Sequence, residues 1–426
     1  MSILMLFAIM FLLMILGVEI FMCMGIASVV YLLVTGNAPL TLIPTSMING
    51  ITNSSLLAIP FFILAGELMN ISGMTLRVVK FARFFIGKWK GGLSYTCVIV
   101  NIIAAGVSGS APADCSAVSS VLLPVMKEEG YPEEFSAAIN AAAATIGPII
   151  PPSIPMVFIG LLTNLSVGRL FLGGVIPGFL MGAGLMLVCY FKVKKMNLGI
   201  YEQEKSFKIF LEVFKDSFLA LIAPIIIILG VITGLVTITE VAILSTSYIF
   251  FVGIFVYKTI AIKDILSIFR NSIFFSSSIM ALFSVAGIFA WFIAVEGLGK
   301  QLGAYVLAMN MSPFLFIVFV NLLFVFLGMI MSAIAAMLIF VPVLLPIAIA
   351  LGIDPIFISV VIVLNLMIGL LTPPVGGLLY LEAKIANVPV DKLIKELIPF
   401  ILVLFAVVVL MILFPPLVTF IPNMLF

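Results

Sequence analysis

The sequence predicts an all-α polytopic membrane protein built as an inverted repeat, with about ten transmembrane spans and two re-entrant helical hairpins. Three observations carry that prediction. Of 426 residues, 64% are hydrophobic and 9% charged, too few charges to cover a soluble surface. The apolar stretches approach or exceed the roughly 20 residues a bilayer crossing needs, with no alternation of the kind a β-barrel requires. The run GVSGSAPADCSAVSSVLLP from Gly106 returns as GMIMSAIAAMLIFVPVLLP from Gly328, 222 positions later.

That offset then holds without a gap. Gly130 maps to Gly352, Phe135 to Phe357, Ile146-Gly147 to Ile368-Gly369, Pro151-Pro152 to Pro373-Pro374 and Ile176-Pro177 to Ile398-Pro399. The matches concentrate on Gly and Pro, where backbone geometry is being specified. A duplicated membrane protein with broken helices in both halves fits a transporter whose site lies at the repeat interface.

In chain order, spans are expected at about 2–18, 20–36, 54–72, 133–163, 168–192, 216–236, 238–258, 270–293, 355–385 and 397–421. The apolar N-terminus lacks the basic flank of a signal peptide and reads as the first span. Two more apolar segments, about 92–128 and 313–350, are interrupted near their middles by small and polar residues and read as re-entrant hairpins. The stretches of about 74–91 and 296–312 read as amphipathic connectors along the membrane interface.

Basic residues set the orientation. Arg77, Lys80, Arg83, Lys88 and Lys90 fall in one loop, and Lys192, Lys194, Lys195, Lys205, Lys208 and Lys215 in another, so both are expected to be cytoplasmic. Lys258, Lys263, Arg270, Lys384, Lys392 and Lys395 follow on the same side, which leaves both termini periplasmic and sends the hairpins in from opposite faces. Glu19 and Glu240 sit at matching span junctions, where hydrated or fold-pinning roles are expected, and Lys127-Glu128-Glu129 reads as a solvated turn. The net charge of +2 gives no sign of a nucleic-acid partner. The chain has no histidine, which removes Ser/His dyads and His metal sites. Cys23, Cys97, Cys115 and Cys189 stand singly without CxxC spacing and read as buried small residues.

Irregular backbone at membrane depth survives only where protein or a polar cavity surrounds it. Four breaks are expected: the tips at 108–112 and 328–332, and the mid-span breaks at 147–153 and 369–374. Each Pro pair removes N–H donors and frees carbonyls one turn earlier. Pairing each tip with the break in its own half gives two neutral-oxygen cages of sodium size. The first holds Ser108, Ser110 and Gly147, and the second holds Gly328, Ser332, Gly369 and Thr372. Helices starting just after the tips and breaks aim positive dipole ends at the same space, which suits a carboxylate. Asp114 reads as the only acidic residue deep in the apolar sequence of its half; it either serves the site or caps the helix after the tip. Asn140 and Asn365 read as interhelical hydrogen-bond formers.

The runs AIPFFILAGELMNISGM, SGSAPAD, IGPIIPPSIP and LLTPPVG, together with the GM…AA…PVLLPI pattern, resemble the large membrane subunit (DctM-like) of TRAP, or tripartite ATP-independent periplasmic, transporters over essentially the whole chain. The resemblance implies a sodium-driven, elevator-type importer of a carboxylate-bearing solute in the bacterial inner membrane, such as a C4-dicarboxylate, sugar acid or sialic acid. It implies two partners, a periplasmic binding protein and a small four-helix membrane subunit. The chain starts directly at the first span, so that subunit is expected as a separate polypeptide. By position, the sodium sites fall on the tip and break residues above, and Ser108 and Ser153 meet the substrate carboxylate, with Asp114 and Ser332 beside them. At the second tip the family commonly carries an acidic residue. This chain has Ser332, so no particular substrate carries over.

The expected division is scaffold at 1–91, transport domain at 92–165, scaffold at 166–312, transport domain at 313–388 and a scaffold span at 389–426. A tenfold sodium gradient stores roughly 1.4 kcal/mol per ion, and each charge moved through 100 mV adds about 2.3 kcal/mol, so no nucleotide site is required. The alternative within transport is a stand-alone divalent-anion/sodium symporter that needs no binding protein. Outside transport stand a membrane hydrolase using Ser110 and Asp114 and a passive scaffold subunit.

Overall fold

A computed structural model describes residues 2–36, 38–87, 89–196, 198 and 206–425. Lys88 and Lys205 of the two basic loops lie outside the described residues. The described chain is helical, with no strand. The first half contains α1 (Ser2–Ile15), α2 (Ile20–Thr35), α3 (Leu42–Ile51), α4 (Ala58–Ile71, entered through a 3-10 turn), α5 (Met74–Ile86), α6 (Gly92–Ser108), α7 (Ala111–Glu128), α8 (Glu133–Ala144), α9 (Ile154–Thr163) and α10 (Val167–Lys194). The second contains α11 (Phe207–Thr233), α12 (Ile238–Phe251, continued by a π-helical turn), α13 (Ile262–Val295), α14 (Leu298–Ala308), α15 (Pro313–Ile330), α16 (Ala333–Ala350), α17 (Pro355–Gly369), α18 (Gly377–Ala386), α19 (Val390–Leu413) and α20 (Pro416–Leu425).

The repeat reaches the backbone. Each hairpin is a pair of antiparallel helices, α6–α7 and α15–α16, and each is followed by a span broken in its middle, α8–α9 and α17–α18. Gly130 and Gly352 both take positive φ, and the Pro151-Pro152 and Pro373-Pro374 bonds are both cis. The halves differ in one place. Where the first has α3 and α4 separated by an irregular joint at Thr52-Asn53, the second runs them together as the 34-residue α13. Helix α3 was not expected as an element. It packs along α13 because two glycines permit a close crossing: a Cβ on Gly50 would lie 2.6 Å from the Phe283 carbonyl, and one on Gly287 would lie 2.6 Å from that of Ser46.

Two groups of helices emerge from the packing. Helices α1–α4 and α11–α13 pack on one another, while both hairpins and both broken spans interlock as α7 with α18, α9 with α16, and α15 with α17. Helices α10 and α19 lie against α6, α8 and α17. The expected division puts 166–192 and the last span with the flanking spans; in the packing they lie against the central group. The expected span at 397–421 also ends early: α19 stops at Leu413, because the residue before Pro415 is driven out of helical conformation.

Polar side chains tie the central group. Asn101 donates to Asn140 across α6 and α8 at 3.1 Å, and Asn365 donates to Asn321 across α17 and α15 at 2.5 Å. Both asparagines expected to bond between helices do so. Asn365→Leu leaves the Asn321 acceptor unpaired and should cost about 1–3 kcal/mol; an unchanged melting temperature would refute the role. The four cysteines are free and buried.

Charge gathers at one end. Arg77 bonds Asp216 at 2.9 Å, Arg83 pairs with Glu129, Lys127 with Glu133 at 2.7 Å, Lys392 with Glu134 at 3.5 Å and Lys192 with Glu396 at 2.5 Å. These contacts run from connector α5 through the α7–α8 turn to the facing ends of α10 and α19. The turn at Lys127-Glu128-Glu129 is thus an ion-paired layer as well as a solvated one.

Candidate functional site

Both tips and both breaks line one cavity of ≈ 200 Å³. Ser110 and Ser332 face it from the tips, Pro148 and Leu370 from the breaks, and Phe275 and Ile279 of α13 from the side. The first tip is built by Gly109 in left-handed conformation (φ 60°), an extended Ser110, and a Pro in the first turn of α7. A Cβ on Gly109 would lie 2.5 Å from the Pro152 carbonyl, and the Gly109 carbonyl accepts from Ile154 N at 3.3 Å. The tip is therefore docked onto the break. Helices α7, α9 and α16 all begin at the cavity wall, so three N-termini turn positive dipole ends toward it, although the first-turn N–H groups of α9 are already bonded to Gly109 and Ser153.

Two further cavities continue from this one. A space of ≈ 420 Å³ shares Ser110, Pro112 and Phe275 with it and runs between α7 and α4, where Glu67 and Asn70 face Ser116 and Ser120. Beyond Ser120, a space of ≈ 310 Å³ reaches Lys127 and Glu133. Shared wall residues thus set the three spaces in a row from the centre toward the charged end. Glu67 corrects the reading of Asp114 as the only deep acidic residue of its half. An acidic residue inside an expected span was the signal for it, and for Glu382 in the second half.

Of the first predicted cage, Ser108 and Gly147 come together and Asp114 joins them. The Ser108 hydroxyl donates to Asp114 Oδ1 and accepts from Ser110 N at 3.2 Å. Asp114 Oδ2 lies directly against Gly147, where a Cβ would collide with it, and this oxygen is buried without a hydrogen-bond partner. Both cages are expected to be neutral; beside the first set the structure has a carboxylate. The position equivalent to Asp114 in the second half is Ala336. Asp114 also stands in the first turn of α7, but neither of its oxygens accepts a backbone N–H there, so it makes no cap bond. Gly66 of α4 lets this group lie close to the flanking helices, since a Cβ there would be 3.2 Å from that of Ser108.

The second predicted set is only partly assembled. Gly328 and Gly369 meet where α15 crosses α17, with a Cβ on Gly369 falling 2.6 Å from Gly328 Cα. Gly328 is therefore helical, and the expected tip at 328–332 contracts to the extended pair Met331-Ser332. The Ser332 hydroxyl accepts from Ala335 N at 3.4 Å as the cap of α16 and lines the central cavity. Thr372 donates to the Ile368 carbonyl at 2.8 Å and keeps oxygen lone pairs available. Ser153 is fully buried; it donates to the Pro148 carbonyl and accepts from Met156 N at 3.1 Å. It spans the break and caps α9, and it is absent from the cavity wall.

A family model for the "Tripartite ATP-independent periplasmic transporter, DctM component" matches residues 7–417. The chain belongs to the DctM family. It is 35% identical over 397 residues to the sialic acid TRAP transporter large permease protein SiaM of Vibrio cholerae, covering 92% of each chain. It is 35% identical over 373 residues to the 2,3-diketo-L-gulonate TRAP transporter large permease protein YiaN of Escherichia coli (88% of each). It is 31% identical over 439 residues to the C4-dicarboxylate TRAP transporter large permease protein DctM of Rhodobacter capsulatus (100% of each). Among solved structures, the Alcanivorax borkumensis YdaH transporter matches with a TM-score of 0.63 at 16% identity, covering 87% of each chain, a likeness of fold. This DctM-family chain is a multi-pass large permease subunit of a TRAP transporter, and these three relatives are named as permeases, not enzymes.

Proposed function

We propose that this permease imports a carboxylate-bearing organic anion together with sodium ions across the bacterial inner membrane. The solute arrives from a periplasmic binding protein, and a small membrane subunit supports the flanking helices. The observation that carries this reading is the convergence, at one cavity, of two hairpin tips, two span breaks and three helix N-termini, with the unpartnered carboxylate oxygen of Asp114 beside Gly147. The N-termini suit the solute carboxylate. Ser108, Asp114 and Gly147 suit a cation, as do Gly328, Gly369 and Thr372 in the other half. Asp114 thereby moves from the solute to the sodium side of the site, and Ser110 and Ser332 are left to meet the solute.

Movement of the elevator kind fits the packing. The mobile body is α6–α10 with α15–α19, and the fixed part is α1–α4 with α11–α13. Where α6 meets α11 the contact is between small surfaces, Gly106 against Pro224. The row of cavities supports a state open toward the charged end, and the basic loops favour the cytoplasm for that end, with the termini periplasmic.

The test is a Gly106→Cys/Pro224→Cys pair, which oxidation would join across the two groups while the buried native cysteines stay unreacted. Oxidation is expected to stop uptake in proteoliposomes and reduction to restore it. Full uptake in the oxidised pair would rule out relative movement at this contact.

A further inference from the structure

Away from that site, one carboxyl group is sealed between the two repeats. Glu382 on α18 is fully buried and faces helices of the other half. Ser119 Oγ of α7 lies 2.7 Å from both of its carboxyl oxygens, Cys115 Sγ lies 2.9 Å from Oε2, and Asn140 Nδ2 of α8 lies 3.3 Å from Oε1. All three partners are uncharged, the Cys115 thiol being the titratable one.

The charged groups on the surrounding elements are engaged elsewhere. On α7, Asp114 is bonded to Ser108 and Lys127 pairs with Glu133, while Glu129, just past its end, pairs with Arg83. On α8, Glu134 pairs with Lys392 of α19, and Glu396 of α19 pairs with Lys192. Glu128, Lys384, Asp391 and Lys395 are exposed. Among the described residues, no cation balances Glu382. A carboxylate without a counter-charge in such a place is disfavoured, and uptake of a proton neutralises it.

Ser119 supplies the route. Its hydroxyl touches Glu382 and the residue also lines the ≈ 310 Å³ cavity, whose wall includes the exposed Lys127 and Glu133.

We propose that Glu382 is a proton-binding site, loaded from the charged end of the molecule through Ser119. A hydronium ion in the cavity gives its proton to Ser119 Oγ while the serine passes its own hydroxyl proton to a Glu382 oxygen. One O–H bond breaks and one forms at the serine, and the sum is carboxylate plus hydronium going to carboxylic acid plus water. Helices α7, α8 and α18 all belong to the body proposed to move, so the proton travels with it. That last step rests on the carrier reading; the proton site does not.

The experiment is infrared spectroscopy of the purified full chain in nanodiscs, following the carboxylic-acid C=O band against pH and against exchange into deuterated water. The wild type should show a band that shifts on deuteration and weakens as pH rises. Glu382→Gln should lack it. Ser119→Ala should keep the band but deuterate more slowly, and Ser119→Thr, which retains a hydroxyl, should recover the wild-type rate. Persistence of the band in Glu382→Gln, insensitivity to pH, or unchanged deuteration in Ser119→Ala would each overturn the proposal. None of these readings depends on sodium or on transport, so a failed carrier reading and a failed proton site remain distinguishable.

Discussion

Asp114→Asn is expected to remove about half of the stabilisation that sodium confers through the proposed first cation site. In the native chain one oxygen of this carboxylate is held by Ser108, while the other is buried, unpartnered and pressed against Gly147. A bound cation is the natural complement, since a buried charge needs a counter-charge. The asparagine keeps the shape and removes the charge, so sodium affinity should fall by at least about tenfold, or ~1.4 kcal/mol. Ligand linkage makes this measurable: sodium at about a hundred times its dissociation constant adds roughly 2.7 kcal/mol to native stability. Thermal unfolding in sodium against matched potassium should therefore show a shift in the wild type and a clearly smaller one in Asp114→Asn. Equal shifts in the two proteins would remove Asp114 from the cation site. Because Ala336 occupies the equivalent position in the other half, the effect should have no counterpart there.

Gly369→Ala should be the most damaging of the single-methyl substitutions at Gly299, Gly328 and Gly369. Its Cβ would sit 2.6 Å from Gly328 Cα, 2.7 Å from Gly328 C and 2.8 Å from the Val325 carbonyl, and backbone atoms cannot swing aside as a side chain can. Helices α15 and α17 must separate, at a cost of about 1–3 kcal/mol, and the second tip moves off the break. Gly328→Ala meets its neighbours at 2.9–3.2 Å and should be milder, while Gly299→Ala, with nothing nearer than 3.6 Å, should be close to neutral. Melting temperatures of the three variants check the order; a Gly369→Ala protein as stable as Gly299→Ala would contradict the proposed contact.

Much of the architecture was legible because the informative residues act on the backbone. Gly and Pro at a fixed offset located the tips and the breaks, and the structure places them around one cavity. What was illegible depended on which side chains meet. Gly328 reads in sequence as a turn residue, yet it serves a helix crossing. Ser153 reads as a ligand, and its hydroxyl also spans its own break. Glu67 and Glu382 were passed over inside long apolar runs, although a carboxylate at membrane depth is itself a signal. The joint that separates α3 from α4 but leaves α13 continuous shows that repeat arithmetic predicts position better than continuity. The packing of α10 and α19 could not be read from hydropathy, since all faces of a membrane bundle are apolar.

The most direct test of the central claim is uptake into proteoliposomes holding this chain and its small subunit, with carboxylates such as sialic acid, a C4-dicarboxylate or diketogulonate presented on the binding protein. Under an inward sodium gradient, one of these solutes should accumulate, and it should fail to do so under matched potassium or without the binding protein. Accumulation of a solute at the same rate in potassium would contradict sodium coupling, and sodium-driven uptake of free solute would replace the tripartite importer with a stand-alone symporter.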